Sequence, residues 1–155
     1  MARAAPPPHL VQMLDADPPL PGSLAALEGL DVAKGAYGGP RVARVSRALR
    51  VPIDALSPGE VRFLLNEGRG IPHLLPRALT ALEADPFLAA DGVPGDLLVT
   101  TLVAADRAWS PASPWRDQLT RVLAGARRHL DAVPPDVRGA LRDEIDLACD
   151  RFLVA

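Results

Sequence analysis

Apolar residues recur along this chain at helical spacing, broken by prolines and glycines. From Ser23 the leucines Leu24, Leu27 and Leu30 fall three apart and predict a short helix capped by the serine hydroxyl. Gly35, Gly38, Gly39 and Pro40 then read as a loop. Between Arg41 and Arg50, Val42, Val45 and Leu49 share one face while Arg41, Arg44, Arg47 and Arg50 spread over the other, and Pro52 ends the pattern. Ser57-Pro58-Gly59-Glu60 has the form of a capping box with proline at the first helical position. It leads into Val61, Leu64 and Leu65, and Gly68 or Gly70 supplies the left-handed stop.

A second run starts at Pro72, with Leu74, Leu75, Ala78, Leu79 and Leu82 as its buried stripe, Pro76 near its first turn and Asp85-Pro86 closing it. The segment LLVTTLVAA after Pro94-Gly95-Asp96 is apolar enough for either a buried strand or a helix. The proline start, the early aspartate and the lack of partner strands favour helix. Ser113-Pro114 predicts the start of a helix carrying Trp115, Leu119, Val122, Leu123, Ala126 and Leu130. After Pro134-Pro135-Asp136, the last helix buries Val137, Leu141, Ile145, Ala148 and Phe152. The expected fold is all-α: a compact single-domain bundle of about six to seven short helices with Pro/Gly-rich connections. It spans residues 23–155 and follows a flexible proline-rich tail, 1–22, in which Val11–Leu14 has room for one docked turn.

Composition narrows the chemistry. Aromatic residues are 4% of the chain, so the core is aliphatic. The net charge of −2 argues against a protein that coats nucleic acid, which needs a basic excess. Cys149 is the only cysteine, so no intrachain disulfide forms. Pro6, Pro7 and Pro8 fall where the apolar core of a signal peptide would begin, and no apolar run spans a bilayer; a reducing, cytoplasmic location is expected.

No catalytic set emerges. His9, His73 and His129 are far apart in sequence, none in a paired metal motif, and the glycine clusters match neither a phosphate loop nor a dinucleotide fingerprint. No catalytic residue, cofactor or metal is therefore expected. Two charged faces remain. Asp143, Asp146 and Asp150 fall at helical spacing, with Glu144 adjacent, and suit binding of a basic protein. Asp91, in an expected exposed loop, is a second candidate contact. The rival reading is a helical nucleic-acid-binding module that uses Arg41, Arg44, Arg47 and Arg50.

The order of several short motifs resembles a family of bacterial contact-dependent growth inhibition immunity proteins. The carrying pieces are Leu24–Leu30 with Asp31, Val42–Leu49, Leu56-Ser57 before Glu60-Val61-Arg62, Gly68 with Gly70-Ile71-Pro72, Leu75-Pro76 with Ala78-Leu79, Leu82-Glu83 through Asp85-Pro86, and Pro94-Gly95-Asp96-Leu97-Leu98. They span roughly Pro18 to Trp109. The chain departs from the usual pattern at Val32, Asn66, His73 and Val93. The resemblance implies a small cytoplasmic protein that binds the toxic C-terminal domain of a cognate toxin, frequently a nuclease, and needs no turnover chemistry of its own.

Overall fold

In a computed structural model, residues 20–30, 39–110 and 112–153 are described. Seven α-helices occur among them: α1 (Leu24–Glu28), α2 (Gly39–Arg50), α3 (Pro58–Asn66), α4 (Ile71–Ala84), α5 (Asp96–Arg107), α6 (Arg116–His129) and α7 (Pro135–Phe152). Short 3-10 turns follow α2 at Ile53–Ala55 and α6 at Leu130–Ala132. The described residues contain no strand, only an isolated antiparallel bridge between Ser23 and Pro52. The segment after Asp96 is therefore helix. Most of the expected tail, together with Gly35 and Gly38, lies outside the described residues.

The chain divides into two compact units, 1–55 and 56–155. In the first, Ser23 Oγ accepts from the Ala26 N–H at 3.2 Å, and Gly29, at φ 64°, stops α1 after five residues. Leu24 is buried, but Leu27 is exposed and Leu30 half-buried. A spacing of three falls about 60° short of a full turn at each step, so Leu27 rotates off the buried face. On α2 the buried residues are Ala48 and Leu49, near its C-terminal end, while Val42 is exposed and Val45 half-buried. Amphipathic spacing marks which face is apolar, not how much of its length is covered.

The second unit is built on leucine. The capping box at Ser57 is complete: the Glu60 N–H donates to Ser57 Oγ and the Ser57 N–H to Glu60 Oε2, both at 3.2 Å. Gly68 and Gly70, at φ 70° and 63°, turn the chain from α3 into α4. All five residues of the expected α4 stripe, Leu74, Leu75, Ala78, Leu79 and Leu82, are buried. Each leucine removed fully from water contributes about 2–3 kcal/mol of transfer free energy. Pro76 sits in the second turn, later than its place near the first turn in the sequence reading. The Thr80 hydroxyl, one turn on, donates to the Pro76 carbonyl at 3.0 Å and accepts from Gln118 Nε2 at 2.9 Å. Arg121 pairs with Glu83 at 3.0 Å. Both links join α4 to α6 at the same sequence offset, so the two helices run parallel.

One helix start differs from expectation. Helix α6 begins at Arg116, with Trp115 in the cap position and buried. Ser113 instead accepts the Ser110 N–H at 3.1 Å and closes the preceding turn. At α5 the cap residue is Gly95 at φ 82°, directly after Pro94, and Asp96 opens the helix as expected. At the start of α7, Arg138 closes the Pro134-Pro135 junction, its guanidinium donating to the carbonyls of Val133 and Asp131 at 2.8 and 3.0 Å.

Thr101 on α5 is fully buried, and its hydroxyl finds no hydrogen-bond partner among the described residues. Valine has nearly the same shape without the stranded oxygen. Thr101→Val should therefore raise the unfolding free energy by roughly 1 kcal/mol. A higher urea midpoint at unchanged m-value would show it; a lower midpoint would mean that the hydroxyl has a partner.

Candidate functional site

The outer surface of α7 carries the acidic residues singled out in the sequence. Leu141, Ile145, Ala148, Cys149 and Phe152 are buried, and Val137 is half-buried. This fixes the rotation of the helix and turns Asp143, Glu144, Asp146 and Asp150 outward, all exposed. Asp143, Asp146 and Asp150 fall within an arc of about 60°, and Glu144 lies about 100° from Asp143. Asp146 is partnered: Arg127 on α6 donates to its Oδ1 at 3.1 Å, and this hydrogen bond raises the Arg127 pKa. Burial pushes the Cys149 thiol up, opposed by the charge of Arg127. Cys149 is a buried packing residue of the α7 stripe.

Asp91 belongs to a different element, the connection between α4 and α5. Its carboxylate accepts from Arg62 on α3 at 2.8 Å. The same Arg62 donates to the Asp96 carbonyl at 3.3 Å. Asp96, the first residue of α5, turns its side chain back into this connection. There it accepts the N–H groups of Ala90 and Asp91 at 2.7 and 2.8 Å, and more weakly that of Val93 at 3.4 Å. The early aspartate of the Pro-Gly-Asp motif thus fastens a loop onto the start of the helix. A partner that met Asp91 would meet one half of an ion pair.

The α2 arginines are spread around the helix. Steps of three residues carry Arg41, Arg44, Arg47 and Arg50 over about 180°. Arg41, Arg44 and Arg47 are exposed and Arg50 is half-buried, and three of the four already take part in interactions. Near the C-terminal end of α4 an open depression of about 420 Å³ is lined by Pro86, Phe87, Pro94, His129, Val133 and Pro134. Beside it, Asp85 Oδ1 accepts the Phe87 N–H at 3.2 Å.

One exposed residue on α7 escaped the sequence reading. Leu147 is 60% exposed and stands among the carboxylates. The signal was present: Leu147 is an apolar residue two positions after Ile145, on the polar arc of an otherwise regular stripe.

A model of the family of CDI immunity proteins matches residues 33–119. That is more than half of the chain. It belongs to this family. No curated protein and no solved structure matches it. In this CDI immunity protein the matched segment holds α2 to α5 and the first residues of α6, including the Ser57 capping box, the Gly68 and Gly70 turn and the Asp96 hub. Helix α7 lies beyond it. No helix among the described residues is long and apolar enough to cross a membrane.

Proposed function

We propose that this immunity protein neutralises the C-terminal toxic domain of a cognate contact-dependent inhibition toxin by one-to-one binding in the cytoplasm. The observation that carries this reading is the family match over residues 33–119. Inhibition of this kind is occlusion: it requires shape and charge that fit the toxin, not turnover. The proposed toxin is a nuclease, whose surface must attract phosphate and is therefore basic. The exposed carboxylates Asp143, Glu144, Asp146 and Asp150 suit such a surface, and Asp91 is proposed as a second contact. Long-range attraction speeds encounter and sharpens partner choice, and salt screens it beyond about 8 Å at physiological ionic strength.

The deciding experiment co-expresses the toxin domain with this protein and scores growth. Protection is expected once the immunity protein matches the toxin in amount and is lost when it falls below. Changing Asp143, Glu144, Asp146 and Asp150 together to lysine should weaken toxin binding and flatten its salt dependence. Unchanged affinity would remove the α7 face from the interface, and failure of the wild-type chain to protect would end the neutralisation reading.

A further inference from the structure

An exposed leucine alone needs no explanation, because apolar atoms form much of any protein surface. Leu147 is distinguished by its surroundings. Residues three and four positions away share its helix face, and these are Asp143, Glu144, Asp150 and Arg151. Three are carboxylates, and the fourth, Arg151, is spent in an ion pair with Asp106 on α5. Leu147 is thus the centre of a collar with net negative charge.

A second exposed apolar residue, Val103, lies on α5. Helices α5 and α7 run in the same direction, because Leu141 packs against Gly95 near their starts and Arg151 meets Asp106 near their ends. Val103 precedes Asp106 by three residues and Leu147 precedes Arg151 by four, so both stand about one turn below the ion pair. Val103 is 50% exposed. Each of the two exposed apolar residues therefore precedes, by about one turn, its own helix's partner in the ion pair that joins α5 to α7.

The charge of the collar selects the occupant. A second copy of the face would bring six carboxylates together, and an anionic membrane would be repelled in the same way. A basic protein surface with an apolar recess satisfies both features, since a desolvated anchor within a charged rim is how binding energy concentrates at an interface. Selectivity is a difference of affinities between partners, and it is best carried by surface outside the scaffold that relatives share. Helix α7 lies outside the matched residues 33–119.

We infer that Leu147 is the apolar anchor of a toxin-docking face on α7, with Asp143, Glu144 and Asp150 as its charged collar and Val103 extending it, and that this face selects the cognate toxin. The inference rests on the neutralisation reading. Its test uses the full chain and, as probe, the purified C-terminal toxin domain against which the wild-type chain protects in the co-expression assay. Leu147→Ala should weaken binding at least about 10-fold, mainly through faster dissociation and equally at low and high salt, with an unchanged melting temperature. Leu147→Met should keep near-wild-type affinity. Replacing Asp143, Glu144 and Asp150 with their amides should instead slow association and reduce its salt dependence. Wild-type binding with Leu147→Ala within twofold of it would overturn this inference alone. Absence of wild-type binding would overturn the neutralisation reading, and this site with it.

Discussion

Replacing Gly95 with alanine is expected to lower the unfolding free energy by between about 2 and 6 kcal/mol, from two separable causes. Gly95 sits at φ 82°, a conformation that a residue with a Cβ adopts at a cost of about 1–3 kcal/mol. A Cβ there would also stand 2.6 and 2.9 Å from the two terminal carbons of Leu141 on α7, closer than van der Waals contact permits. Relief requires Leu141 to leave its packed rotamer or α7 to move away from α5, which adds about 1–3 kcal/mol. Gly92 is the internal control. It has φ 92°, but nothing lies within 4 Å of its Cβ position, so Gly92→Ala measures backbone strain without the clash. Urea unfolding of the two variants separates the causes. Equal losses would mean that Leu141 yields freely and that α7 does not depend on this close approach.

The same residues show which parts of the molecule were legible beforehand. Local chemistry read well: Ser57 and Glu60 are three residues apart and cap each other, and the α4 stripe follows from spacing alone. The ambiguous run after Asp96 resolved as helix, yet Asp96 acts on the loop behind it, through N–H groups three to six residues earlier. Periodicity is blind to that direction. It is equally blind to Arg62 reaching Asp91, 29 positions away, and to Arg127 reaching Asp146. The outward turn of Asp143, Glu144 and Asp150 was implied by the buried stripe of α7, because a helix with one face fixed has the others fixed too. Leu147 is not legible from spacing, because an apolar residue on a polar arc acquires meaning only once its exposure and its neighbours' charges are known together. The expected start at Ser113 gives way to Arg116 for a simpler reason: a serine-proline pair caps a turn as readily as a helix, and here the Ser113 hydroxyl takes the Ser110 N–H.

Phe152→Ala should be the most damaging single change near the end of α7, with an expected loss of about 3–5 kcal/mol. Phe152 is buried, and its ring lies 4.9 Å from that of Trp109, which in turn lies 5.7 Å from Trp115. Arg116 stands over the Trp109 ring at 5.7 Å. Both tryptophans of a chain otherwise poor in aromatics are thus used to hold the end of α7 against the connection from α5 to α6. The neighbouring ion pair between Arg151 and Asp106 joins the same two regions but is largely exposed, and such pairs contribute about 0.2–1 kcal/mol. The magnitudes decide which contact anchors the helix: Arg151→Ala should be nearly silent in thermal unfolding, whereas Phe152→Ala should lower the melting temperature by roughly 10 °C. Phe152→Leu, which refills much of the volume, should recover a large part of the loss. If α7 carries the docking face, Phe152→Ala should also weaken toxin binding although Phe152 itself is buried, because the helix that presents Leu147 would no longer be held at its end. A variant that unfolded earlier yet bound the toxin as tightly as wild type would separate the aromatic cluster from the placement of that face.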